Sequence, residues 1–542
     1  MSTSEYPVAG VGRRPKITVR GRVLSTESII LGALIVLAAV IRIVVINNQS
    51  LWADEALTAY EMRLPFGAML HTVTTVEVTP PLYFVVLWVW AKIFGAGPVA
   101  LRAVSAIASV ALVPIAYAAT RELVSRRAGL VAAALMTVNP FVIWFGQEAR
   151  SYMLLAALTG AALLAFARAL RAPTRRNLLA WTAFSALAVM THFFAGFAIA
   201  PQAALLLWRH RTRGAAAAVA VVAVAQLAML PFAIADTSAS HGTAWIARVP
   251  LTHRISMAAV EWVASNLYRR TTLLDGLALG AVLVVVTLGL LLLGTRAGER
   301  RRGALIAFAV AACVIIGPLL LGAVGQDYFL SRNEIPALVP VMTVLAAACT
   351  APRLARVGAV LALLLLAGFT AAAVEVQTHP FLERANWRAV ARVLGPAVRT
   401  RAVLAADGTT AQPLKIYLPG VRWAQPRTRR VLISEVDIVG ATKRIALASE
   451  HPSGPGSALE ATNPPGDHVD KSRRPRGAPV PRSVAPPGTR LLARIRVANF
   501  VVARFLLDRP RWVSIASLGR SAPRYFRHTP AALLVFVQPR RR

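Results

Sequence analysis

The sequence predicts an α-helical polytopic membrane protein with about eleven transmembrane helices, an interfacial helix in the first outer loop and a small extracytoplasmic α/β domain at the C-terminal end. Three observations predict this fold class. Hydrophobic residues make up 56% of the 542 residues. Apolar runs of about 20 residues, long enough to cross a bilayer, recur along the chain. Arginine clusters separate many of these runs. The composition excludes a soluble fold.

The charge balance is strongly basic. Lysine and arginine together number 60 against 24 acidic residues, for a formal net charge of +36. Much of this excess lies in short clusters between apolar runs, where positive charge orients spans toward the cytoplasm. We therefore expect a multi-pass protein of the plasma membrane, with lipid as its surroundings and no nucleic-acid partner. Cys313 and Cys349 both lie in apolar runs, which predicts no disulfide framework.

The N-terminal part predicts the orientation. Residues 1–25 form a basic cytoplasmic tail, and the run 26–46 is a signal anchor that carries Asp54 and Glu55 to the outer face. The next apolar segment, 81–94, would be roughly 21 Å long as a helix, against a hydrocarbon core of about 30 Å. It is too short to cross, and keeping it in the outer interface leaves the later arginine clusters inside. An interfacial helix is therefore expected there.

The remaining apolar runs complete the membrane part, which we expect to occupy residues 26–376. The predicted spans after the first are 99–120, 129–145, 151–167, 178–190, 193–208, 215–234, 273–294, 304–324, 335–350 and 357–376. Because the chain is expected to start in the cytoplasm and to cross the membrane an odd number of times, residues 377–542 are expected outside the membrane.

The C-terminal part predicts a small α/β domain. A short helix is expected at 384–394, and strands are expected at 402–406, 431–438 and 533–537. Residues 450–489 are rich in Pro, Gly, Ser and Arg with few apolar residues, which predicts a flexible segment.

Polar residues gather in four loops that the topology places on the outer face. Ionisable groups near the membrane plane are costly and tend to be functional. A carboxylate there can act as a base, and arginine binds phosphate through its planar fork. The candidate residues are Asp54, Glu55, Gln147, Glu148, Arg150, Tyr152, His192, Tyr328 and Arg332.

Structural interpretations of the same residues stay open at this point. Asp54 and Glu55 could cap the following helix, whose positive end favours carboxylates. Arg150 and Arg332 could be residues that extend to the interface, and His192 could be a structural histidine.

Several short motifs resemble, in their order, those of the C-fold integral membrane glycosyltransferases. The resemblance is to the branch with protein O-mannosyltransferases and lipid A aminoarabinose transferases, and it covers about residues 27–376. The motifs are LWADEAL (51–57), TPPLYF (79–84), LR (101–102), FGQEARSY (145–152), TH (191–192) and YFLSRNEIP (328–336). Many relatives have histidine where this chain has Thr79, so no histidine role is transferred to that position.

The resemblance implies a sugar donor carried on polyprenyl phosphate and a single displacement with inversion. It implies Asp54 as the base toward the acceptor hydroxyl, with Glu55 positioning the acceptor or completing the charge network. Arg150 and Arg332, with Tyr152, would bind the donor phosphate. Gln147, Glu148, His192 and Tyr328 would support them.

The donor sugar and the acceptor stay open. Mannose is the first expectation for the sugar, followed by arabinose or another pentose, and the acceptor is a glycan, a glycolipid or a protein. No cofactor is expected to be required and no residue is assigned to a metal, although a divalent cation, for which the sequence gives no support, stays open. The alternative function is a transporter or flippase for lipid-linked saccharides, which should carry its polar groups near mid-membrane in corresponding halves. A non-catalytic protein of the same fold is the third possibility.

Overall fold

The computed structural model of the protein consists of a helical part followed by a mixed sheet. It describes residues 17–19, 22–77, 79–232, 234, 246–296, 298–379, 382–406, 411–418, 430–441, 486, 488–497, 500–514 and 533–540. Most of the predicted N-terminal tail and nearly all of the predicted flexible segment 450–489 lie outside these residues.

Helices account for most of the described chain. They are α1 (Thr26–Val45), α2 (Ala53–Glu61), α3 (Phe66–Thr72), α4 (Leu82–Phe94), α5 (Pro98–Leu123), α6 (Arg126–Val138), α7 (Pro140–Gly146), α8 (Tyr152–Arg171), α9 (Arg175–Thr191), α10 (Ala195–His210), α11 (Arg213–Ala228), α12 (Leu251–Ala264), α13 (Leu273–Gly294), α14 (Glu299–Ala323), α15 (Leu338–Cys349), α16 (Ala355–Thr378), α17 (Trp387–Leu394) and α18 (Leu414–Tyr417). Single turns of 3-10 or π helix lie at Val73–Glu77, Ile246–Arg248, Ser265–Arg270, Ser331–Ala337 and Pro352–Leu354.

The predicted polytopic helical architecture is confirmed in its coarse form. Among the described residues, seven helices are long and apolar enough to cross a membrane, or eight if the bent pair α6 and α7 forms one span. The predicted spans 178–190, 193–208 and 335–350 correspond to the shorter helices α9, α10 and α15. Segment 81–94 is helical as expected and forms α4, a short apolar helix.

The break between α6 and α7 has a local cause. Pro140 has no amide hydrogen, so the helix cannot continue through it without losing a backbone bond, and the two helices meet at 55°. The Asn139 side chain accepts from the Val142 amide at 2.9 Å and begins the new helix. Arg42 of α1 donates to the carbonyls of Met136, at 3.2 Å, and Thr137. The bend directs the following loop, 147–151, toward α2.

The membrane core is built around α5, which packs against α1, α6 and α8. Small residues allow close helix approach. Gly160 on α8 illustrates this, because a Cβ atom there would lie 2.7 Å from Val339 and 2.9 Å from Ile115. These contacts fix α8, and with it Tyr152 at the start of that helix.

Within the described residues, the C-terminal sheet has five strands in the order β5-β6-β4-β3-β7. The described strands are β1 (Ile17–Val19), β2 (Arg22–Leu24), β3 (Arg401–Ala406), β4 (Val431–Ala441), β5 (Thr489–Val497), β6 (Phe500–Val513) and β7 (Leu533–Gln538). β3 and β4 are parallel and the other pairs of this sheet are antiparallel. Trp387 of α17 packs on Phe500 with ring centroids 4.4 Å apart. The expected small α/β domain is present, and the β5-β6 hairpin was not predicted.

Candidate active site

The acidic pair lies in the first turn of α2. The Glu55 carboxylate accepts a hydrogen bond from the backbone amide of Trp52 at 3.3 Å, as in a capping box. The positive end of the helix dipole favours ionised carboxylates in this turn. The capping interpretation of the acidic pair is therefore correct for Glu55.

Glu55 is completely buried, and its carboxylate has several donors. The Arg102 guanidinium donates to both carboxylate oxygens at 2.7 Å, and the Ala149 amide donates at 3.0 Å. Burial acts to raise the pKa of Glu55, but the charge and hydrogen bonds of Arg102, with help from Arg384, leave this pKa below its ordinary value. Glu55 is thus ionised and bonded to the protein, with no surface open to a substrate.

Asp54 differs from its neighbour. Its side chain is half-buried, and no group in the described part of the chain donates a hydrogen bond to its carboxylate. Burial raises the pKa of Asp54, an effect that the positive charges of Arg150 and Arg332 partly offset. A carboxylate with raised proton affinity and free oxygens has the properties of a general base.

Arg150 is held in a fixed position close to α2. Its guanidinium forms an ion pair with Glu77 at 2.9 Å and donates to the Thr58 hydroxyl at 3.4 Å. The guanidinium lies over the Phe84 ring, 5.8 Å from its centroid. Glu77 ends the π-helical turn Val73–Glu77, so this turn sets where the cation sits. The ion pair holds Arg150 on the side of α2 that carries Thr58.

Arg332, Tyr152 and His192 lie on the same side. Arg332 belongs to the turn Ser331–Ala337, and its charge acts on both Tyr152 and Asp54. The Tyr152 and His192 rings are 6.4 Å apart. Burial and the charges of Arg150 and Arg332 lower the pKa of His192 to about 4. His192 is therefore neutral near pH 7.

The hydrogen bond of His192 fixes its tautomer. The Phe194 amide donates to His192 Nδ1 at 3.3 Å, so the ring proton of the neutral imidazole is on Nε2. His192 can therefore donate a hydrogen bond without carrying charge.

Tyr328 lies next to this histidine's neighbour. The Phe194 ring lies 6.1 Å from the Tyr328 ring, and Asn333 donates a hydrogen bond to the Tyr328 carbonyl at 2.7 Å.

Gln147 and Glu148 both contact Arg384 of the C-terminal segment. Both are buried. Glu148 forms an ion pair with Arg384 at 2.6 Å, and Arg384 also donates to the Gln147 carbonyl at 3.2 Å. Burial raises the pKa of Glu148 to about 7, although the Arg384 charge opposes this. The Gln147 side chain donates to the carbonyl of Ile143 at 3.3 Å.

The nine candidate residues therefore form two groups. One group is centred on Asp54: the charges of Arg150 and Arg332 act on it, and Tyr152 interacts with it. His192 lies beside Tyr152, and Tyr328 lies beside Phe194. The other group is a buried charge cluster bonded to the C-terminal segment: Glu55, Gln147 and Glu148, with Arg102 and Arg384. Glu148 of this cluster also interacts electrostatically with Asp54 and Arg332. Arg102 belongs to one of the sequence motifs but had no predicted role, and no sequence signal pointed to Arg384.

Glu61 was also missed. It lies seven residues after Asp54, two turns along the same side of α2. It is completely buried, and within the described residues neither carboxylate oxygen has a hydrogen-bond donor. Burial and the nearby Glu77 charge raise its pKa to about 8, against the opposing charge of Arg150. Its spacing from Asp54 was the available signal.

In the part of the chain that the structure describes, no group of three or more His, Cys, Asp or Glu residues is arranged to hold a metal ion.

Comparison with known families places this site in context. Residues 78–235 match the sequence profile described as dolichyl-phosphate-mannose-protein mannosyltransferase. The predicted resemblance to the polyprenyl-phosphate-dependent membrane glycosyltransferases is confirmed. The matched region contains Arg102, Arg150 and His192, whereas Asp54 and Arg332 lie outside it. No curated protein sequence matches the chain.

Three solved structures are similar to this chain over 77%, 76% and 39% of its length. ArnT from Cupriavidus metallidurans in the apo state has a TM-score of 0.48 at 15% identity, covering 77% of this chain and 94% of that chain. The same protein bound to undecaprenyl phosphate has a TM-score of 0.45 at 15% identity, covering 76% and 93%. The S. cerevisiae Pmt1-Pmt2 complex bound to the sugar donor has a TM-score of 0.32 at 17% identity, covering 39% and 33%.

Proposed function

We propose that this chain is an integral membrane glycosyltransferase that moves a sugar from polyprenyl phosphate to an extracytoplasmic hydroxyl acceptor. One observation carries the proposal. A half-buried carboxylate, Asp54, has no hydrogen-bond donor within the described chain and lies in the field of two arginines. A base next to an anion site is the arrangement that displacement of a lipid phosphate requires.

The proposed reaction is a single displacement. Asp54 accepts the proton of the acceptor hydroxyl, and the acceptor oxygen forms a bond to the anomeric carbon from the face opposite the phosphate. The bond between that carbon and the phosphate oxygen breaks, and the electron pair leaves with the lipid phosphate. Configuration at the anomeric carbon is inverted, and the proton stays on Asp54 until solvent removes it.

The cations and neutral donors serve the leaving group. Arg150 and Arg332 offset the charge that develops on the phosphate, which lowers the barrier to its departure. Tyr152 and His192 can donate uncharged hydrogen bonds to the same group. Glu55 takes part indirectly, because it fixes the first turn of α2 in which Asp54 lies. Of the two roles considered for Glu55, its contacts favour the charge network over contact with the acceptor.

The proposal includes the finer topology. The shorter helices α9, α10 and α15 would join the eight longer candidates to complete eleven spans, with α4 lying in the outer interface. The parts are then a cytoplasmic tail (1–25), a transferase domain (26–376) and an extracytoplasmic domain (377–542) at the plasma membrane. A reporter fused after Val376 should be accessible from outside, and a cytoplasmic signal would contradict this topology.

Mannose is the first sugar we propose, with arabinose or another pentose second. The description of the matched family names dolichyl-phosphate-mannose, which supports the choice. The acceptor proposed is a glycan, glycolipid or protein of the cell envelope.

The function can be tested with membranes that contain the protein and a panel of radiolabelled polyprenyl-phosphate sugars. Wild type should transfer one of them, and Asp54→Asn should lower the rate by about 10²- to 10⁴-fold, the range for loss of a general base. Asp508→Asn, at an exposed acid of the C-terminal domain, is the matched control and should be as active as wild type. Full activity in folded Asp54→Asn would refute the base. Movement of an intact lipid-linked sugar across the bilayer without transfer would favour the transporter alternative.

A further inference from the structure

The loop that leads into α2 is held by side chains from the C-terminal part of the chain. Arg388 donates to the carbonyls of Asn47, at 2.9 Å, and Gln49, at 3.0 Å. Its own amide donates to the Ser50 hydroxyl at 3.2 Å. The Leu51 amide donates to the Tyr417 hydroxyl at 2.8 Å. Residues 47–51, which directly precede Trp52, the N-cap of α2, are therefore fixed by residues more than 300 positions later.

Arg384 makes the most buried of these contacts. Besides its 2.6 Å ion pair with Glu148, its guanidinium lies 3.8 Å from the Glu55 carboxylate. Its backbone amide donates to the Gln49 side chain at 3.2 Å. The guanidinium also lies 4.4 Å from the centroid of the Trp144 ring. One side chain thus joins α7, the loop after α7 and the first turn of α2.

These contacts reach Asp54 through one peptide bond. Glu55 caps α2 and is the carboxylate on which Arg102 and Arg384 both act. Asp54 has no such attachment of its own, so its position follows that of Glu55. A charge that holds Glu55 in place therefore also fixes the backbone position from which the Asp54 side chain extends.

We propose that Arg384 is a positioning residue for sugar transfer: it makes the C-terminal segment part of the active site by holding the acidic turn of α2 in its working orientation. This inference rests on the proposed function. The C-terminal domain would then serve the chemistry of the membrane domain directly, in addition to any role in acceptor binding. Since a displacement of about 1 Å can lower a rate by about 10²-fold, loss of this contact should be seen in kcat.

A purely structural role for Arg384 predicts a different result. If Arg384 only joined two domains, its loss would reduce the amount of folded protein but leave each folded molecule as active as before. A positioning role reduces kcat per folded molecule and leaves the donor KM nearly unchanged, because Arg150 and Arg332 stay in place.

The test compares Arg384→Gln, Arg384→Lys, Glu148→Gln and the double variant Arg384→Gln/Glu148→Gln in full-length protein, normalised to folded protein by size-exclusion chromatography. Arg399→Gln is the matched control, since Arg399 is exposed in the same domain. For Arg384→Gln we expect kcat to fall by about 10²-fold, with donor KM within about threefold. The lysine, which keeps the charge but not the fork, should restore part of the rate. The double variant should lose less than the product of the two single losses, because both remove one contact.

Two results would overturn the inference: a kcat within about threefold of wild type in folded Arg384→Gln, or effects of Arg384→Gln and Glu148→Gln that multiply independently. If Arg384→Gln does not fold, Glu148→Gln decides alone, with a loss of about tenfold in kcat expected and a wild-type kcat contradicting the role. Asp54→Asn is assayed alongside. If wild type transfers no sugar, the proposed function fails and this inference fails with it. If wild type transfers and Asp54→Asn does not, the Arg384 result judges the positioning role by itself.

Discussion

The two sides of α2 place adjacent acids in opposite environments. On one side, Glu55 receives hydrogen bonds from Arg102 and the Ala149 amide, and its pKa is lowered despite burial. On the other side, Asp54 has no donor within the described chain and its pKa is raised. The difference teaches that an acidic pair in a motif need not act as a pair. The bonded acid holds the helix, and the free one is available for chemistry.

The largest expected effect concerns the bonded side. Arg102→Ala leaves the buried Glu55 carboxylate without its main cation, which should lower the free energy of unfolding by about 3–5 kcal/mol. Asp54→Ala should change it by less than about 1 kcal/mol, because no hydrogen bond is lost. Chemical unfolding in detergent micelles measures both. Equal destabilisation by the two substitutions would remove the distinction between the sides of α2.

The next effect is a pH dependence of the free energy of unfolding, caused by Glu61 on the side of α2 that carries Asp54. Because the pKa of Glu61 is raised to about 8 in the folded protein, the folded state holds this proton more tightly than the unfolded state. The stabilisation is complete below the unfolded pKa and is lost as pH rises through about 8. Between pH 5 and 9, this proton should make the free energy of unfolding of wild type fall by up to about 4 kcal/mol. The Glu61→Gln variant should lack this part of the fall, because glutamine does not titrate. Parallel pH curves for the two proteins would show that Glu61 is not held protonated.

A smaller effect tests the phosphate site. Arg332→Ala should raise the donor KM by about 10- to 100-fold, as expected for one hydrogen bond to a charged group, and leave the acceptor KM unchanged. Arg248→Ala, at an exposed arginine, is the control. Arg150→Ala should weaken donor use as well, although it also removes the ion pair of Glu77. An unchanged donor KM in both Arg332→Ala and Arg150→Ala would refute the anion site.

The smallest effect is expected at His192. Since its pKa is about 4, the ring is already neutral between pH 5.5 and 8 and contributes one uncharged hydrogen bond. His192→Asn should lower turnover by no more than about tenfold and keep the shape of the pH-rate profile in that range. A wild-type inflection near pH 6.5 that disappears in the variant would instead identify His192 as a titrating group.

The sequence predicted the parts of this arrangement that depend on local composition. Apolar runs predict helices because the bilayer core requires them, and Asp54, Arg150 and Arg332 were found because charges at the ends of such runs are conspicuous. The separation of Asp54 from Glu55 could not be predicted. It depends on Arg102, which lies 47 residues beyond Glu55, on the Ala149 amide, 94 residues beyond it, and in smaller part on Arg384, and no local pattern encodes such contacts.

Two other features were missed. Glu77, which forms the ion pair with Arg150, ends a π-helical turn, a local geometry that leaves no clear periodicity in the sequence. The hairpin of β5 and β6 was missed although Arg490, Arg494 and Arg496 alternate with apolar residues in β5, an alternation typical of a strand. β5 forms an edge of the sheet, where charged residues discourage pairing with other chains.

The most direct test of the account measures sugar transfer per folded molecule, in a single turnover, for Asp54→Asn and Glu55→Gln side by side. We expect Asp54→Asn to unfold at the wild-type midpoint and to lose transfer by about 10²- to 10⁴-fold. Glu55→Gln should be less stable, with the loss of transfer following the loss of the ordered α2 turn. Asp54→Asn that is folded and transfers sugar at the wild-type rate would contradict the account.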